Sequence, residues 1–214
     1  MCSELDKVKI ICRYRTDEPD SVDNFYLCSK AIPDMRKLLN NELNRLDQRG
    51  FKEAAKMQVA VILDNIRSQH NIGSVFRTAD AFRIERIILC GITATPPNRE
   101  MQKTALGATE MVAWEYFGNT LQAVEQMRNA GYIIVAVEQA EGSLPLENFD
   151  PCKFGKIALV FGNEVHGVNE VIVKEADECI EIPQFGTKHS LNISVTAGIV
   201  LWHVFQHLRE SDKF

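Results

Sequence analysis

Short apolar runs that alternate with helical patterns constrain the fold of this chain more than any other feature. Four such runs, at residues 58–64, 86–90, 132–138 and 156–162, have the length of a strand and are rich in β-branched side chains. Strands of this kind are typically buried on both faces of a parallel sheet. Their alternation with helical segments predicts an α/β fold, with a mostly parallel sheet covered by helices on both faces.

The remaining elements follow from the same patterns. Residues 93–110 contain a Pro-Pro pair and predict a long loop, of a length that is usually functional in a compact domain. The other predicted elements are two strands, at 111–117 and 179–183, and four helices, at about 72–82, 120–130 and 168–176 and from 193 onward.

The first 57 residues precede the expected sheet. Residues 8–12 have the composition of a strand, and residues 35–49 place leucines at helical spacing ahead of Gly50. We therefore expect an N-terminal extension, residues 1–57, that carries a docking helix at about 35–49. The main domain is expected to span residues 58–214.

Composition narrows the possible functions. No apolar run approaches the roughly 18 residues of a membrane span, and the N-terminus has no apolar segment of signal-peptide length. We therefore expect a cytoplasmic protein with no membrane partner. The six scattered cysteines form no C-x-x-C pair and are expected to be reduced thiols. The net charge is −5, yet residues 67–103 carry six basic and three acidic side chains, which leaves room for a nucleic-acid site.

Three polar loops follow predicted strands, and ligands of parallel sheets bind beyond the carboxyl ends of the strands. The first loop contains N-x-G-x-x-x-R, from Asn71 to Arg77. Asn71 could cap the following helix, and the planar guanidinium of Arg77 suits a phosphate or a substrate oxygen. A surface ion pair of Arg77 with Asp80 or Glu85 is the alternative.

The second loop is L-V-F-G-N-E-V-H-G, residues 159–167. A buried strand breaks at Gly162, and Glu164 follows. No G-K-[ST] or G-x-G-x-x-G pattern is present, so nucleotide triphosphate binding is not expected. A carboxylate here suits a cationic or hydroxyl-bearing ligand, unless Glu164 merely caps a helix that opens at Gly167. His166 and His189 stand alone in the sequence, so no metal site is expected.

The third loop lies within residues 180–198, where a short strand runs through a Pro/Gly loop into an amphipathic helix. Ser190, Asn192 and Ser194 crowd the first turn of that helix, where backbone N–H groups lack partners. The arrangement could hold a small cofactor. The alternative is a helix cap and a turn without further function.

Together the three patterns resemble the three motifs of the SpoU/TrmH family, the SPOUT-superfamily RNA ribose 2′-O-methyltransferases. The resemblance covers about residues 58–209 in the order of the family, and T-A-L-G-A at 104–108 is also similar. It implies S-adenosylmethionine as cofactor and RNA (tRNA or rRNA) as substrate. It further implies a SPOUT-like C-terminal trefoil knot and a homodimer with the active site built across the interface.

The resemblance also assigns roles to residues. Two positions depart from the family pattern, Val165 after the glutamate and Gln184 after the proline. The implied catalytic residues are Arg77, Asn71, Glu164, Ser190 and Asn192, and the implied cofactor-binding residues are Gly162, Ile182, Leu191 and Gln139.

Two other functions fit the same residues less well. One is a non-catalytic RNA-binding module of this fold, and the other is a flavodoxin-like nucleotide-binding protein. Transfer RNA is favoured as the substrate because the 57 residues before the first core strand are too few for the ribosomal-protein-like domain of some rRNA-modifying members.

Overall fold

Residues 36–211 are described by the computed structural model of the chain. They belong to two compact units that divide after Arg45. In the smaller unit, residues 36–45 contain one 3-10 turn, Asn40–Glu42. The strand expected at residues 8–12 lies outside the described residues.

The single helix predicted for residues 35–49 is wrong. Beyond the 3-10 turn, the first helix is α1, Gln48–Glu53. Asn44 adopts a left-handed conformation, with φ of 46°, which a right-handed helix cannot contain. The carboxylate of Asp47 then caps α1 by accepting a hydrogen bond from the backbone N–H of Gly50 at 2.7 Å. The glycine expected to end a helix therefore lies inside one.

The larger unit begins at Leu46 and contains a seven-stranded sheet, which confirms the predicted α/β class. Its strands are β1, Met57–Asp64; β2, Ile84–Cys90; β3, Ala113–Phe117; β4, Ile133–Val137; β5, Leu144–Pro145; β6, Ile157–Phe161; and β7, Glu178–Glu181. The strand order is β3-β2-β1-β6-β4-β7-β5, and all six pairings are parallel. The C-terminal trefoil knot stays a prediction.

Six further helices connect and cover these strands. They are α2, Gln69–Ala81; α3, Arg99–Ala105; α4, Ala108–Met111; α5, Thr120–Asn129; α6, Glu170–Glu175; and α7, Ile193–Glu210. Two 3-10 turns, Leu146–Asn148 and Pro151–Lys153, follow β5.

The long loop predicted for residues 93–110 is wrong, because α3 and α4 occupy most of it. The side chain of Asn98 caps α3 by accepting hydrogen bonds from the N–H groups of Glu100 and Met101. Met101 and Ala105 are buried in the core. Burial on one face stabilises a helix that is too short to be recognised by periodicity.

Alternate side chains of β1 enter two separate apolar cores. Val61 and Leu63 belong to the core that also contains residues of α2 and α7. Ala60 and Ile62 belong to the other core, with residues of α5 and α6. Since neighbouring strand residues point to opposite faces, the helices cover both sides of the sheet, as predicted.

The carboxyl ends of the central strands lie side by side. Leu63 of β1 pairs with Phe161 of β6, which pairs in turn with Val137 of β4. Val137 also pairs with Ile180 of β7. The loops that follow β1, β6, β4 and β7 therefore all leave the sheet at the carboxyl ends of its strands, and the three polar motifs meet there.

Candidate active site

A cavity of about 310 Å³ lies beyond the carboxyl ends of β4, β6 and β7. The second and third motifs both contribute to its wall, and its lining residues come from four segments of the chain, within 137–139, 161–167, 181–184 and 189–196. Glu164 and Ser190 line it. So do all four residues to which the resemblance assigns cofactor contacts: Gly162, Ile182, Leu191 and Gln139.

The second motif folds back on itself so closely that its glycines are required. Asn163 and Gly167 exchange two backbone hydrogen bonds, at 2.8 and 3.0 Å. A Cβ atom on Gly162 would lie 2.0 Å from the backbone nitrogen of Val168, far below any real contact. One on Gly167 would lie 2.2 Å from a carboxylate oxygen of Glu138. The spacing G-N-E-x-x-G is therefore a steric requirement of this loop.

Three glutamates line the cavity, Glu138, Glu164 and Glu181. None of them forms an ion pair with a lysine or arginine in the described part of the chain. The Glu138 carboxylate accepts hydrogen bonds from the backbone N–H groups of Gln139 and Val168, each at 2.9 Å. A wall of this charge suits a cationic ligand and repels a phosphate.

A chain of side-chain hydrogen bonds joins the three motifs beside the cavity, which only its first member, Glu164, lines. Asn71 Nδ2 donates to Glu164 Oε1 at 3.1 Å, and Asn192 Nδ2 donates to Asn71 Oδ1 at 3.3 Å. The hydroxyl of Ser194 donates to Asn192 Oδ1 at 2.7 Å. Each amide gives its NH₂ group to one neighbour and its oxygen to the other, so the chain fixes the orientation of both asparagines.

The first turns of α2 and α7 hold these two asparagines. Ser68 caps α2, with its hydroxyl accepting from the N–H of Asn71 at 3.3 Å. The expectation that Asn71 is the cap is therefore wrong. Asn192 does cap α7, by accepting from the N–H of Ser194 at 2.9 Å. A plain helix cap is thus part of its role, and the same side chain also reaches Asn71.

Helix α6 begins later than the second motif predicts. Its first residue is Glu170, and its cap is Asn169, whose side chain accepts from the N–H of Val171 at 2.9 Å. Glu164 therefore does not cap a helix, and no helix opens at Gly167. Glu164 stays on the loop, where its carboxylate is hydrogen-bonded to another motif.

Arg77 lies apart from this cavity. It follows Asn71 by six residues, so its side chain points about 120° away around α2 and lies about 9 Å further along the axis. It lines a different groove, with Lys103 of α3. Arg77 is exposed and makes no ion pair in the described part of the chain, so the proposed pairing with Asp80 or Glu85 is not observed.

A buried carboxylate that the sequence analysis missed anchors the loops beneath the cavity. Asp64, at the end of β1, is 2% exposed. Its Oδ1 accepts from the hydroxyl of Thr120 at 2.5 Å and from Asn65 Nδ2 at 2.8 Å, and its Oδ2 accepts from the N–H of Asn169 at 3.1 Å. All three partners donate, so a group that only accepts is required. The signal in the sequence was a charged residue that ends an otherwise apolar run.

Asn163 extends this network to the second motif. It is 8% exposed, and its Nδ2 donates to the backbone oxygen of Asn65 at 2.8 Å. Its Oδ1 accepts from the N–H groups of Val165 and His166, at 2.8 and 3.3 Å. The side chain therefore shapes the turn that presents Glu164 to the cavity.

One cysteine, Cys90 at the end of β2, is buried. Burial raises the pKa of the Cys90 thiol to about 12, with a further contribution from the charge of Asp64. No group of three His, Cys, Asp or Glu side chains within residues 36–211 is arranged to hold a metal ion. No helix in the same range is long and apolar enough to cross a membrane.

Comparison with known proteins agrees with the three motifs. The sequence profile of the SpoU rRNA methylase family matches residues 58–202. The chain belongs to this family. One relative, the tRNA (guanosine(18)-2′-O)-methyltransferase of Aquifex aeolicus, is 30% identical over 178 residues, which are 83% of this chain and 82% of the relative.

Solved structures share the fold of this SpoU-family chain. The TrmH/SpoU tRNA modifying enzyme of A. aeolicus has a TM-score of 0.68 at 29% identity, covering 77% of this chain and 82% of that one. An AdoMet-bound rRNA methyltransferase from Sinorhizobium meliloti has a TM-score of 0.67 at 31% identity, covering 74% and 60%. The chain spans 61% of the length of the TrmH-family relatives that it matches in Staphylococcus.

Proposed function

We propose that this SpoU-family chain transfers a methyl group from S-adenosylmethionine to a ribose 2′-hydroxyl of structured RNA, with transfer RNA favoured over ribosomal RNA. The observation that carries the proposal is the hydrogen-bonded chain Glu164–Asn71–Asn192 beside the carboxylate-lined cavity. The Aquifex relative, named as a tRNA 2′-O-methyltransferase, supports the same reaction.

The cavity fits S-adenosylmethionine in charge and in lining. When bound, this cofactor supplies a methyl group on a positively charged sulfur. The carboxylates of Glu138, Glu164 and Glu181 match that charge, whereas they would repel the phosphate of a flavin nucleotide or a dinucleotide. Apolar contacts would come from Ile182 and Leu191, with Gly162 and Gln139 completing the wall. The AdoMet-bound Sinorhizobium neighbour supports this cofactor.

The protein must position the ribose hydroxyl and help its proton to leave. Arg77 is proposed to contact the 2′-oxygen and the adjacent phosphate. Because guanidinium is not deprotonated in proteins, Arg77 stabilises the developing negative charge and does not act as a base. The proton passes to a phosphate oxygen or to water. Ser190, Asn192 and Asn71 orient the ribose, and Glu164 holds Asn71 in place.

The separation of Arg77 from the cavity supports a homodimer in which Arg77 of one protomer faces the cavity of the other. An apolar stripe on α7 offers a surface for this contact. Val195, Ile199 and Trp202 follow one another at helical spacing and are 49%, 38% and 46% exposed. A stable monomer in solution, measured by sedimentation, would contradict this part of the proposal.

Methyl transfer tests the reaction directly. The purified protein is incubated with S-adenosylmethionine labelled in the methyl group and with RNA from cells that lack the gene, separated into tRNA and rRNA. We expect label in tRNA, in nucleotides that resist alkaline cleavage because the 2′-hydroxyl is blocked. Label on a base would refute the ribose assignment. Binding of RNA without transfer, at saturating cofactor, would favour the non-catalytic module.

A further inference from the structure

We propose that Phe185 is a platform on which the base of an unpaired RNA nucleotide stacks at the mouth of the cavity. The inference rests on the proposed function and adds to it the binding site for a nucleobase. It starts from exposure: Phe185 is 98% exposed, more than any other large apolar side chain of the described residues. A ring left entirely in water contributes nothing to the core of its own chain.

The position of this ring relates it to the site. Phe185 lies in the loop between β7 and α7, and both Gln184 before it and His189 after it line the cavity. Gly186, its other neighbour, has open space around the position of a Cβ atom. The ring therefore projects from the rim of the cavity and is not wedged against the protein.

The charge around the ring favours a nucleic acid over a protein as its partner. The cavity itself is lined by Glu138, Glu164 and Glu181, so a phosphate is expected outside it. On the segment that carries the ring, residues 182–209 contain no aspartate or glutamate, although the whole chain has a net charge of −5. Lys188 lies three residues after the ring and makes no ion pair in the described part of the chain. An exposed aromatic ring beside an unpaired cation matches the two features of single-stranded RNA, a stackable base and a phosphate.

Stacking at this point has a consequence for the substrate. A base can reach Phe185 only if it has left its own helical stack, so the nucleotide at the cavity lies in a loop, a bulge or a locally opened helix. Every base has a face that can stack, so this contact alone does not select one of the four bases.

Three substitutions at one position test the platform, with tRNA from cells that lack the gene as methyl acceptor. Phe185→Ala should raise KM for tRNA by about 5- to 160-fold, the range for one base–aromatic stack. Phe185→Trp should keep KM within about twofold of the wild type. Phe185→Leu should behave like the alanine variant, because leucine keeps an apolar volume but has no aromatic face.

Two further measurements separate stacking from other roles of the ring. The Kd of S-adenosylmethionine and the sedimentation of the dimer should not change in any of the three variants. Val171→Ala provides the matched control, since Val171 is 53% exposed on α6 and does not line the cavity. It should leave KM for tRNA unchanged.

Several results would overturn the proposal. A wild-type KM in Phe185→Leu, or dissociation of the dimer in Phe185→Ala, would mean that the ring packs against protein. Weaker cofactor binding in Phe185→Ala would mean that the ring covers the cofactor. A normal KM of Phe185→Ala for tRNA, with a wild type that is active, would refute the stacking role of Phe185 and leave the proposed methyl transfer standing. A wild type that methylates no RNA would refute the proposed function itself.

Discussion

Two regions of the larger unit carry the proposed catalytic residues, and they differ in how complete they are within one chain. At the cavity, Asn71, Glu164 and Asn192 are bonded to one another, and no buried side-chain nitrogen or oxygen among the described residues lacks a partner. In the groove between α2 and α3, Arg77 is exposed and makes no ion pair with a described residue.

The difference indicates that cofactor binding and contact with the substrate are assigned to different regions of the chain. The cofactor side is organised by the folding of a single chain, with its polar groups already oriented. The guanidinium of Arg77 stays hydrated, so water screens its electrostatic interactions until the substrate and the other protomer exclude that water. On this account the second side is completed only when another protomer and the RNA are present.

The largest expected effect on turnover comes from Arg77, which lies apart from the cavity in the groove between α2 and α3. Arg77→Ala should lower kcat by about 10²- to 10³-fold, the loss typical of one transition-state donor. The Kd of S-adenosylmethionine, measured by calorimetry, should stay within about twofold, because Arg77 does not line the cavity of its own chain and is proposed to contact the RNA of the partner's site and not the cofactor. Arg49→Ala, which removes an exposed arginine on α1, serves as the control. Near-normal turnover of Arg77→Ala would remove Arg77 from the chemistry.

Gly162→Ala should weaken cofactor binding at the cavity. Its Cβ atom would lie 2.0 Å from the backbone of Gly167, so the second motif must move. Overpacking of this kind typically costs about 1–3 kcal/mol, and we expect the Kd of the cofactor to rise by about tenfold or more. Gly155→Ala is the matched control, with no atom within 4 Å of its Cβ position. An unchanged Kd in Gly162→Ala would show that the loop geometry does not matter to the cofactor.

Asp64→Asn tests the buried anchor below the cavity. The amide has the same shape but places an NH₂ group among three donors, so unfolding free energy should fall by about 1–3 kcal/mol. The cofactor Kd should rise as well, since Asn163 loses the support of Asn65. Asp177→Asn is the control. Asp177 precedes β7 and accepts a hydrogen bond from the N–H of Ile134 at 2.8 Å, at the amino ends of the strands and therefore away from the cavity. Equal changes of Kd in both variants would reduce Asp64 to a general stabilising role.

The smallest effect concerns pH. Burial raises the pKa of Cys90 from 9.0 to about 12, so the folded chain holds this proton more tightly than the unfolded chain does. The resulting stability is fully present well below pH 9 and is lost as the pH rises from about 9 toward 12, and the loss amounts to about 1.4 kcal/mol at pH 10. Cys90→Ala should show a correspondingly shallower fall in unfolding free energy. Identical slopes above pH 9 would mean that the thiol is accessible to water.

The sequence could indicate which residues line the cavity because its lining is local to motifs, whereas binding of the cofactor by these residues stays a prediction. Gly162, Ile182 and Leu191 each follow a recognisable strand, and the parallel sheet brings those strand ends together. The predictions failed where a short stretch depends on distant partners. Helix α3 was taken for a loop because its stability comes from buried contacts of Met101 and Ala105 and not from length. The helix at 35–49 failed because one asparagine turns the chain.

The hydrogen-bond network around Asp64 could not be predicted from the sequence, for a different reason. Asp64 and Asn169 are hydrogen-bonded across 105 positions of the chain, and no periodicity records a contact of that separation. The orientation of Arg77 could have been read from the sequence. Six helical residues after Asn71 lead to another face of α2, which already predicts that the two side chains do not meet within one chain.

Mixed dimers test the central claim most directly. Arg77→Ala and Gly162→Ala chains carrying different tags are co-expressed, and the mixed dimer is purified through both tags. If Arg77 serves the cavity of the other protomer, one of the two sites in the mixed dimer is intact. At a cofactor concentration well below the wild-type Kd, the account then predicts about half of the wild-type methyl transfer per dimer, although each parent dimer keeps about a tenth or less. A mixed dimer no more active than its parents would contradict it, because each chain would then have to complete its own site.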